Sequence, residues 1–402
     1  MLSQIKQLNI EAIGLMLVSI GVPLSMYLNF CTDMNIWSPF IMFLSIILLV
    51  YKKIIFFHIK TEYSLLFIFQ LIMVCYWFCS SKASIQYLCF HFYIIALIFA
   101  LSTIKRIQME EVLRYSFFFS IPLTIFGLIV CQLGLVTGPL AWTLRNANEN
   151  YALEPFTISS GALIGYYSGL CMLKKNRTEK ILILIFLGLN IYLIWLCQKR
   201  TPLLILMICT LMYHIKLKGF TPQIIIPLTL KIISVSVIAL LILLQNNEFY
   251  QEFNKFSTNV LNGVQNILGN SKVSDSSGSA IVRYEYRTYA LNFIKNQFNI
   301  INYIYGNGYM EKWKQIDNPI LQSYLDMGII GLVGYIGLVI MYPLKKLLFY
   351  KLNSYQLFFL FCSLYNVFSS ISSGNPYFYQ KYTPICLLIF SISLTTKNSK
   401  NE

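Results

Sequence analysis

The chain has 402 residues, of which 57% are hydrophobic and only 12% are charged. An ordinary soluble domain carries about 25% charged residues, so this composition excludes a soluble globular protein and predicts an integral membrane protein. The net charge of +15 would suggest a nucleic-acid partner in a soluble chain. Here the basic residues form short clusters between apolar stretches and no nucleic-acid-binding motif accompanies them, so we expect no such partner.

Apolar stretches of near-spanning length recur along the whole chain. At about 20 residues per membrane-spanning helix, they predict an all-α polytopic bundle of about 12 transmembrane helices. In chain order the candidate spans are 10–30, 36–51, 63–80, 84–102, 115–137, 155–173, 181–197, 201–215, 225–245, 325–343, 353–371 and 382–395. The ten cysteines fall almost entirely inside these stretches without a CxxC pair, so neither a disulfide framework nor a zinc site is expected.

The basic residues between the spans predict the orientation of the bundle, because short cytoplasmic loops are enriched in lysine and arginine. With the N-terminus inside, most of them fall on the cytoplasmic side, and both termini are predicted to be cytoplasmic. The predicted inner residues are Lys6, Lys52, Lys53, Lys60, Lys105, Arg106, Arg114, Lys174, Lys175, Arg177, Lys180, Lys216, Lys218, Lys231, Lys345, Lys346, Lys351, Lys397 and Lys400. The predicted outer residues of the short loops are Lys82, Arg145, Lys199, Arg200 and Lys381.

Residues 246–324 interrupt this pattern with a long segment of mixed polar and aromatic sequence. We expect one large periplasmic loop between nine spans in residues 1–245 and three spans with a cytoplasmic tail in residues 325–402. Helical spacing returns within the loop from Arg283 to Phe298. Long connections of this kind are usually functional, so the loop is expected to carry a site.

Ionisable residues on the predicted outer side are few, and they are the candidates for that site. Arg283 and Arg287 are four residues apart on the predicted helix, so both project from one face. Two guanidinium groups on one face can hold a diphosphate, since each matches phosphate oxygens in a bidentate way. The same spacing also fits an amphipathic helix on anionic headgroups, and the spacing alone favours neither interpretation.

Two short motifs follow the predicted loop helix. Tyr305-Gly-Asn-Gly-Tyr309 lacks the strand and helix that flank a nucleotide-binding loop, and it favours a tight turn that lets backbone approach backbone. Asp317 and Asn318 precede the tenth span, where a carboxylate can act as a general base with a pKa set by partial desolvation and neighbouring arginines. Taken alone, Asp-Asn-Pro more often forms a turn or a helix cap.

These features together resemble the O-antigen and capsular polysaccharide polymerases of the Wzy type, within a superfamily that includes the O-antigen ligases. The order of the motifs is a stronger signal than any one of them. The resemblance rests on the large loop before the last helices, on Ser279-Ala-Ile-Val-Arg283 opening a loop helix, on the loop from Arg145 to Pro155, on Lys199-Arg200-Thr201 between two spans, and on the two motifs above.

The resemblance implies a lipid-donor glycosyltransferase of lipopolysaccharide or capsule biosynthesis, related to the GT-C fold, in the bacterial inner membrane. A glycan on undecaprenyl diphosphate would pass to a hydroxyl of the next lipid-linked repeat unit, without a metal or other cofactor. Membrane lipid and a chain-length regulator protein are the further partners. The implied residues are Arg145, Arg200, Arg283 and Arg287 for the diphosphate, Arg283 and Asp317 for catalysis, and Glu154 and Asn318 as further candidates.

Two alternatives stay open. The O-antigen ligases resemble this chain but carry a histidine near the position of Asp317, whereas His58, His91 and His214 lie at the predicted inner interface or inside a span. A lipid-linked oligosaccharide flippase or another transporter has a similar span number and composition, but flippases have short loops with charges inside their helices. The long outer loop and the lack of an internal repeat therefore favour the polymerase.

Overall fold

The computed structural model is a bundle of helices. It describes residues 9–32, 34, 36–51, 59–80, 82–104, 107–133, 155–172, 177–197, 200–218, 250–251, 254, 257–258, 261, 279–309, 316, 318–372 and 374–398. These residues contain helices and connections but no β-strand, which confirms the all-α prediction for this part of the chain. The predicted ninth span, 225–245, lies outside the described residues.

The described part of the chain contains fourteen α-helices. In chain order they are α1 (Ile10–Thr32), α2 (Trp37–Val50), α3 (Ser64–Phe78), α4 (Ile85–Thr103), α5 (Met109–Gln132), α6 (Pro155–Met172), α7 (Arg177–Leu196), α8 (Arg200–Lys218), α9 (Ser279–Gln297), α10 (Ile300–Tyr305), α11 (Pro319–Tyr335), α12 (Tyr342–Phe349), α13 (Ser354–Ser372) and α14 (Thr383–Asn398). A π-helical segment, Ile336–Met341, joins α11 to α12, and 3₁₀ turns precede α3 and α14.

Several of these helices have the length and hydropathy that crossing a membrane requires. In the described part of the chain there are six: Ile10–Thr32, Thr61–Phe78, Ile85–Thr103, Met109–Gln132, Glu179–Leu196 and Pro319–Phe349. Trp37–Val50 and Thr201–Lys216 are apolar but shorter. The architecture is that of a membrane protein, as the composition predicts.

The largest departure from the predicted spans is at α11. The sequence predicts a span over 325–343, whereas the helix begins at Pro319 and continues through α12 to Phe349. The helix therefore begins six residues before the predicted span, inside the segment predicted as the periplasmic loop, and the boundary of that loop at residue 324 stays a prediction. The physical reason is that Gln322, Ser323 and Asp326 lower the hydropathy of the first turns, although they are buried.

The centre of the bundle is α13. Its residues Leu357, Phe358, Phe359, Leu360 and Phe361 are successive in the chain and all buried, which is typical of a helix enclosed on every side. It contacts α6, α8, α12 and α14. By contrast, α3 and α7 leave large apolar side chains exposed on one face, as helices at a lipid boundary do.

Three connections that the sequence predicts on the outer side meet at one end of the bundle. After α3, the Ser80 hydroxyl donates to the backbone carbonyl of Tyr309 over 2.7 Å. The amide of Asn375, between α13 and α14, donates to the Tyr87 hydroxyl on α4 over 3.3 Å. We call this end of the molecule the Tyr309 end.

Connections that the sequence predicts on the inner side also meet. The Lys60 ammonium donates to the Leu101 carbonyl over 3.3 Å and lies 5.5 Å from the ring centroid of Phe390. The amide of Gln356, on α13, donates to the carbonyl of Ser391 over 3.2 Å. Ser391 lies on α14 next to Phe390. The two sets of connections thus lie at separate ends, as alternation of the spans requires, and the assignment of the Tyr309 end to the periplasm stays a prediction.

Candidate functional site

The most unusual backbone of the bundle lies at the Tyr309 end, where α11 is interrupted at Gly328. This residue has φ 59° and ψ −150°, a left-handed conformation that favours glycine. A Cβ atom added here would lie 2.4 Å from the carbonyl oxygen of Ile304. The break therefore brings the end of α10 into direct backbone contact with α11.

The turn that follows α10 fits into this break. Gly306, at φ +78°, approaches so closely that an added Cβ would lie 2.3 Å from the backbone carbonyl carbon of Asp326. Asn307 N donates to the Leu325 carbonyl over 2.8 Å, and Gly308 N donates to the Asp326 carbonyl over 3.1 Å. The turn thus satisfies backbone acceptors that an interrupted helix cannot pair internally. The predicted tight turn with backbone-to-backbone approach is confirmed.

The carboxyl group of Asp326 points into the protein beside this turn and is only 1% exposed. Its Oδ2 accepts from the Gln322 amide over 2.8 Å and from the Tyr377 hydroxyl over 2.5 Å. Gln322 in turn accepts from the Ile316 backbone N–H over 2.9 Å. A buried carboxyl group is costly unless such donors hold it. Burial, and then the neighbouring carboxylate, raise the pKa of the Tyr377 hydroxyl, so Tyr377 stays protonated and donates.

Tyr309 extends this network to α3 and α4. Its ring stacks on Tyr377 with centroids 3.9 Å apart, and its hydroxyl is hydrogen-bonded to His91 Nε2 over 3.0 Å. His91 Nδ1 is 2.9 Å from the Gln70 amide oxygen; since that oxygen only accepts, Nδ1 carries the proton and Tyr309 donates to Nε2. We call this set, listed in full, the Asp326 cluster: Gln70, His91, Tyr309, Gln322, Asp326 and Tyr377.

The connection between α13 and α14 also folds into the bundle. Lys381, which the sequence counts with the short outer loops, is only 6% exposed, and its ammonium donates to the Ser369 hydroxyl over 2.8 Å. Burial lowers its pKa to about 7. Among the described residues, its side-chain partner is a hydroxyl and not a carboxylate. The amine of Lys381 is therefore held inside the protein with a pKa near neutral pH.

The helix predicted over residues 283–298 is confirmed as α9. Its residues Ala290 and Ile294 pack with Leu325 at the beginning of α11. Arg283 and Arg287 lie on the same face of α9 as Ala290 and Ile294, at spacings of three and four residues. They lie N-terminal to the residues that contact Leu325. Arg283 is exposed and Arg287 is half-buried. We call these two residues the arginine stripe.

Of the other predicted site residues, the structure describes Arg200 and Asn318. Arg145, Glu154 and Asp317 lie outside the described residues. Arg200 is the first residue of α8. Asn318 caps α11, since its side chain accepts from the Leu321 backbone N–H over 3.1 Å, and this confirms the helix-cap interpretation of the Asp-Asn-Pro motif.

Sequence reasoning missed most of the Asp326 cluster. It predicts His91 inside a span, where His91 lies, but not the contact of its ring with the loop residue Tyr309. The available signal was a polar side chain within an apolar stretch, as with Gln70 and His91. Nothing comparable marked Tyr377, because tyrosine is common in this chain.

Within the described residues no three His, Cys, Asp or Glu side chains are grouped so that they could hold an ion. Comparisons with protein-family models, with curated proteins and with solved structures found no match.

Proposed function

We propose that the chain is a lipid-donor glycosyltransferase that polymerises O-antigen or capsular repeat units. It transfers the growing glycan from undecaprenyl diphosphate to the next lipid-linked repeat unit on the periplasmic face of the inner membrane. The proposal includes about 12 spans in a GT-C-like arrangement, with both termini cytoplasmic. It also includes a chain-length regulator protein as a partner.

The observation that carries this proposal is the position of the arginine stripe. Arg283 and Arg287 share one face of α9, and the next turns of that face pack on Leu325 at the beginning of a helix with spanning length. A lipid diphosphate lies at the boundary between hydrocarbon and water, which is the level at which a spanning helix begins. Guanidinium groups there are suited to its bidentate recognition.

The chemistry assigned to the site is a substitution at the anomeric carbon of the donor. The acceptor hydroxyl oxygen forms the new bond to that carbon while the bond from carbon to the diphosphate oxygen breaks. Undecaprenyl diphosphate leaves with the electron pair, and the arginines stabilise its developing charge. The hydroxyl proton passes to a carboxylate base, for which Asp317 stays the candidate.

Asp326 is not proposed as that base. Its Oδ2 already accepts two hydrogen bonds, and the side chain is enclosed by Gln322 and Tyr377. We propose instead that Asp326 holds the interrupted backbone of α11 in place. It thereby also positions the part of α11 against which α9 packs. Asp326 is therefore a positioning residue.

The glycan of cells that lack the chain tests this function. Loss of a polymerase leaves a single repeat unit on the lipid A core, whereas loss of a flippase or a ligase leaves the core bare. We expect single-repeat glycans in the deletion strain and long chains when the wild-type chain is restored. A bare core in the deletion strain would contradict the proposal.

The site assignment has its own test. In the deletion strain, Arg283→Ala and Asp317→Asn are expected to leave single-repeat glycans, because they remove a diphosphate contact and the base. Arg114→Ala, on the predicted inner side, serves as the matched control and should restore long chains. Long chains with both site variants would refute the assignment and leave the polymerase function itself open to the deletion test.

One observation favours a second candidate, a lipid-linked oligosaccharide flippase or another transporter. Interrupted helices with buried polar groups are typical of transporters, and α11 is interrupted beside buried Asp326. The deletion strain separates this candidate from the polymerase, since of these two only the transporter predicts a bare core.

A further inference from the structure

The short helix α10 presents an unusual surface. It has the sequence Ile300-Ile-Asn-Tyr-Ile-Tyr305 and buries none of its side chains. Its isoleucines and tyrosines are between 42% and 80% exposed. Because removing apolar surface from water is favourable, this surface has a strong tendency to be covered.

The polar groups of α10 are directed back into the helix itself. Asn299 and Asn302 form a reciprocal capping box at its beginning, and the Asn302 amide also donates to the Gly306 carbonyl over 3.0 Å. The only amide side chain of the helix is thereby used within the helix and its C-terminal turn. What remains facing outward is a continuous apolar and aromatic surface without a charged residue.

The depth of α10 in a membrane follows from its contact with α11. The stretch 327–344, between Asp326 and Lys345, carries no charged residue and has nearly the roughly 20 residues that a helix needs to cross a bilayer hydrocarbon core. Asp326 therefore marks one boundary of the hydrocarbon. Gly328 lies just inside that boundary, and the Ile304 carbonyl lies directly against Gly328.

We propose that α10 is embedded in the bilayer at the Tyr309 end, with its isoleucines among the lipid acyl chains and its tyrosines at the headgroup level. The segment enters at Asn299 and returns through the turn Gly306 to Gly308. Its lipid-facing surface is continued on α11 by Ile329 and Val333, which are 51% and 62% exposed. Tyrosine at this level is typical of the aromatic belt of membrane proteins.

With this placement, residues 300–305 of the predicted periplasmic loop lie in the membrane and not in water. The placement holds α9, and with it the arginine stripe, against the membrane surface through a hydrophobic anchor. The inference depends on the depth of α10 and on its exposed surface, and it does not depend on the reaction proposed above. It holds equally for a transferase and for a transporter.

Photo-crosslinking in native membranes tests the placement. The full chain would carry p-benzoylphenylalanine at Ile301 or, in a second variant, at Ile300, because both are exposed and neither change disturbs a buried contact. Val333 is the lipid-facing control, and Lys295, exposed near the end of α9, is the water-facing control. Mass analysis would identify what is attached after irradiation.

We expect lipid adducts at Ile301 and Ile300 in yields comparable with the yield at Val333, and none at Lys295. Adducts at Val333 without adducts at either α10 position would overturn the proposal. A crosslinked dimer of the chain from the α10 positions would also overturn it, because a second copy would then cover this surface.

Discussion

The Asp326 cluster is centred on α11 and the arginine stripe lies on α9, which packs against α11, but the two differ in how their polar groups are held. In the cluster, the Asp326 carboxyl is buried and bound by side chains from its own helix and from the α13–α14 connection. In the stripe, Arg283 is exposed and Arg287 half-buried on the surface of α9. The cluster holds the backbone of α11 in place, whereas the stripe lies on a surface that a ligand can reach.

This difference predicts that substitutions in the two regions have separable effects. Changes in the cluster should act first on the free energy of unfolding, because buried groups lose their partners. Changes in the stripe should act on function with little effect on stability, because neither arginine is fully buried and substitutions at a protein surface change folding little.

The largest effect is expected for Gly328→Ala and Gly306→Ala. Both residues have positive φ, and a Cβ would meet backbone at 2.4 Å and 2.3 Å respectively. A non-glycine residue in such a conformation costs about 1–3 kcal/mol, and the backbone must also separate, so we expect a loss of ~3 kcal/mol or more in thermal unfolding in detergent. Gly337→Ala is the matched control, since a Cβ there meets nothing within 4 Å. Equal effects at all three positions would contradict the close approach.

Asp326→Ala is expected to have the next largest effect. It leaves the Tyr377 hydroxyl and the Gln322 amide buried without their acceptor, which costs about 2–3 kcal/mol. Asp326→Asn keeps an oxygen that accepts and should lose clearly less. A double-mutant cycle of Asp326→Ala with Tyr377→Phe measures the coupling directly, and additive effects of the two changes would show that the hydrogen bond contributes nothing.

Lys381 predicts a pH dependence of stability. Burial lowers its pKa to about 7 from an ordinary value of 10.5, so between these values the unfolded chain binds the proton more strongly than the folded chain. Stability therefore rises with pH across that window, by up to about 1.4 kcal/mol per pH unit. Lys381→Met removes this rise, so the variant should be more stable than wild type near pH 7, with the difference shrinking towards pH 10. Parallel profiles of the two proteins in thermal unfolding would contradict the assignment.

The sequence was informative where a rule links a residue to local structure. Asn318 was recognisable as a cap because Asn-Pro at a helix start has a defined geometry, and Gly306 and Gly308 as a turn because glycine permits it. Periodic apolar stretches located the helices for the same reason.

The sequence could not show which distant residues meet. Tyr377 bonds Asp326 across 51 positions of the chain, and His91 meets Tyr309 across 218. No local pattern encodes such pairs, because they depend on how whole helices pack. Hydropathy also placed the beginning of α11 too late in the chain. A polar residue such as Gln322 lowers the hydropathy of a segment even when it is buried inside the protein.

The smallest effect on stability, and the sharpest contrast with the cluster, is expected for the arginine stripe. Arg283→Lys and Arg287→Lys keep the charge but lose the planar fork that binds two phosphate oxygens at once. We expect their unfolding free energies to lie within about 0.5 kcal/mol of wild type, while the deletion strain that carries them shows shortened glycans. The same measurements on Arg114→Lys control for a general effect of the substitution. If the lysine variants restore full-length glycans, a diffuse positive charge is sufficient, and the stripe then acts as a surface anchor for anionic headgroups instead of a diphosphate site.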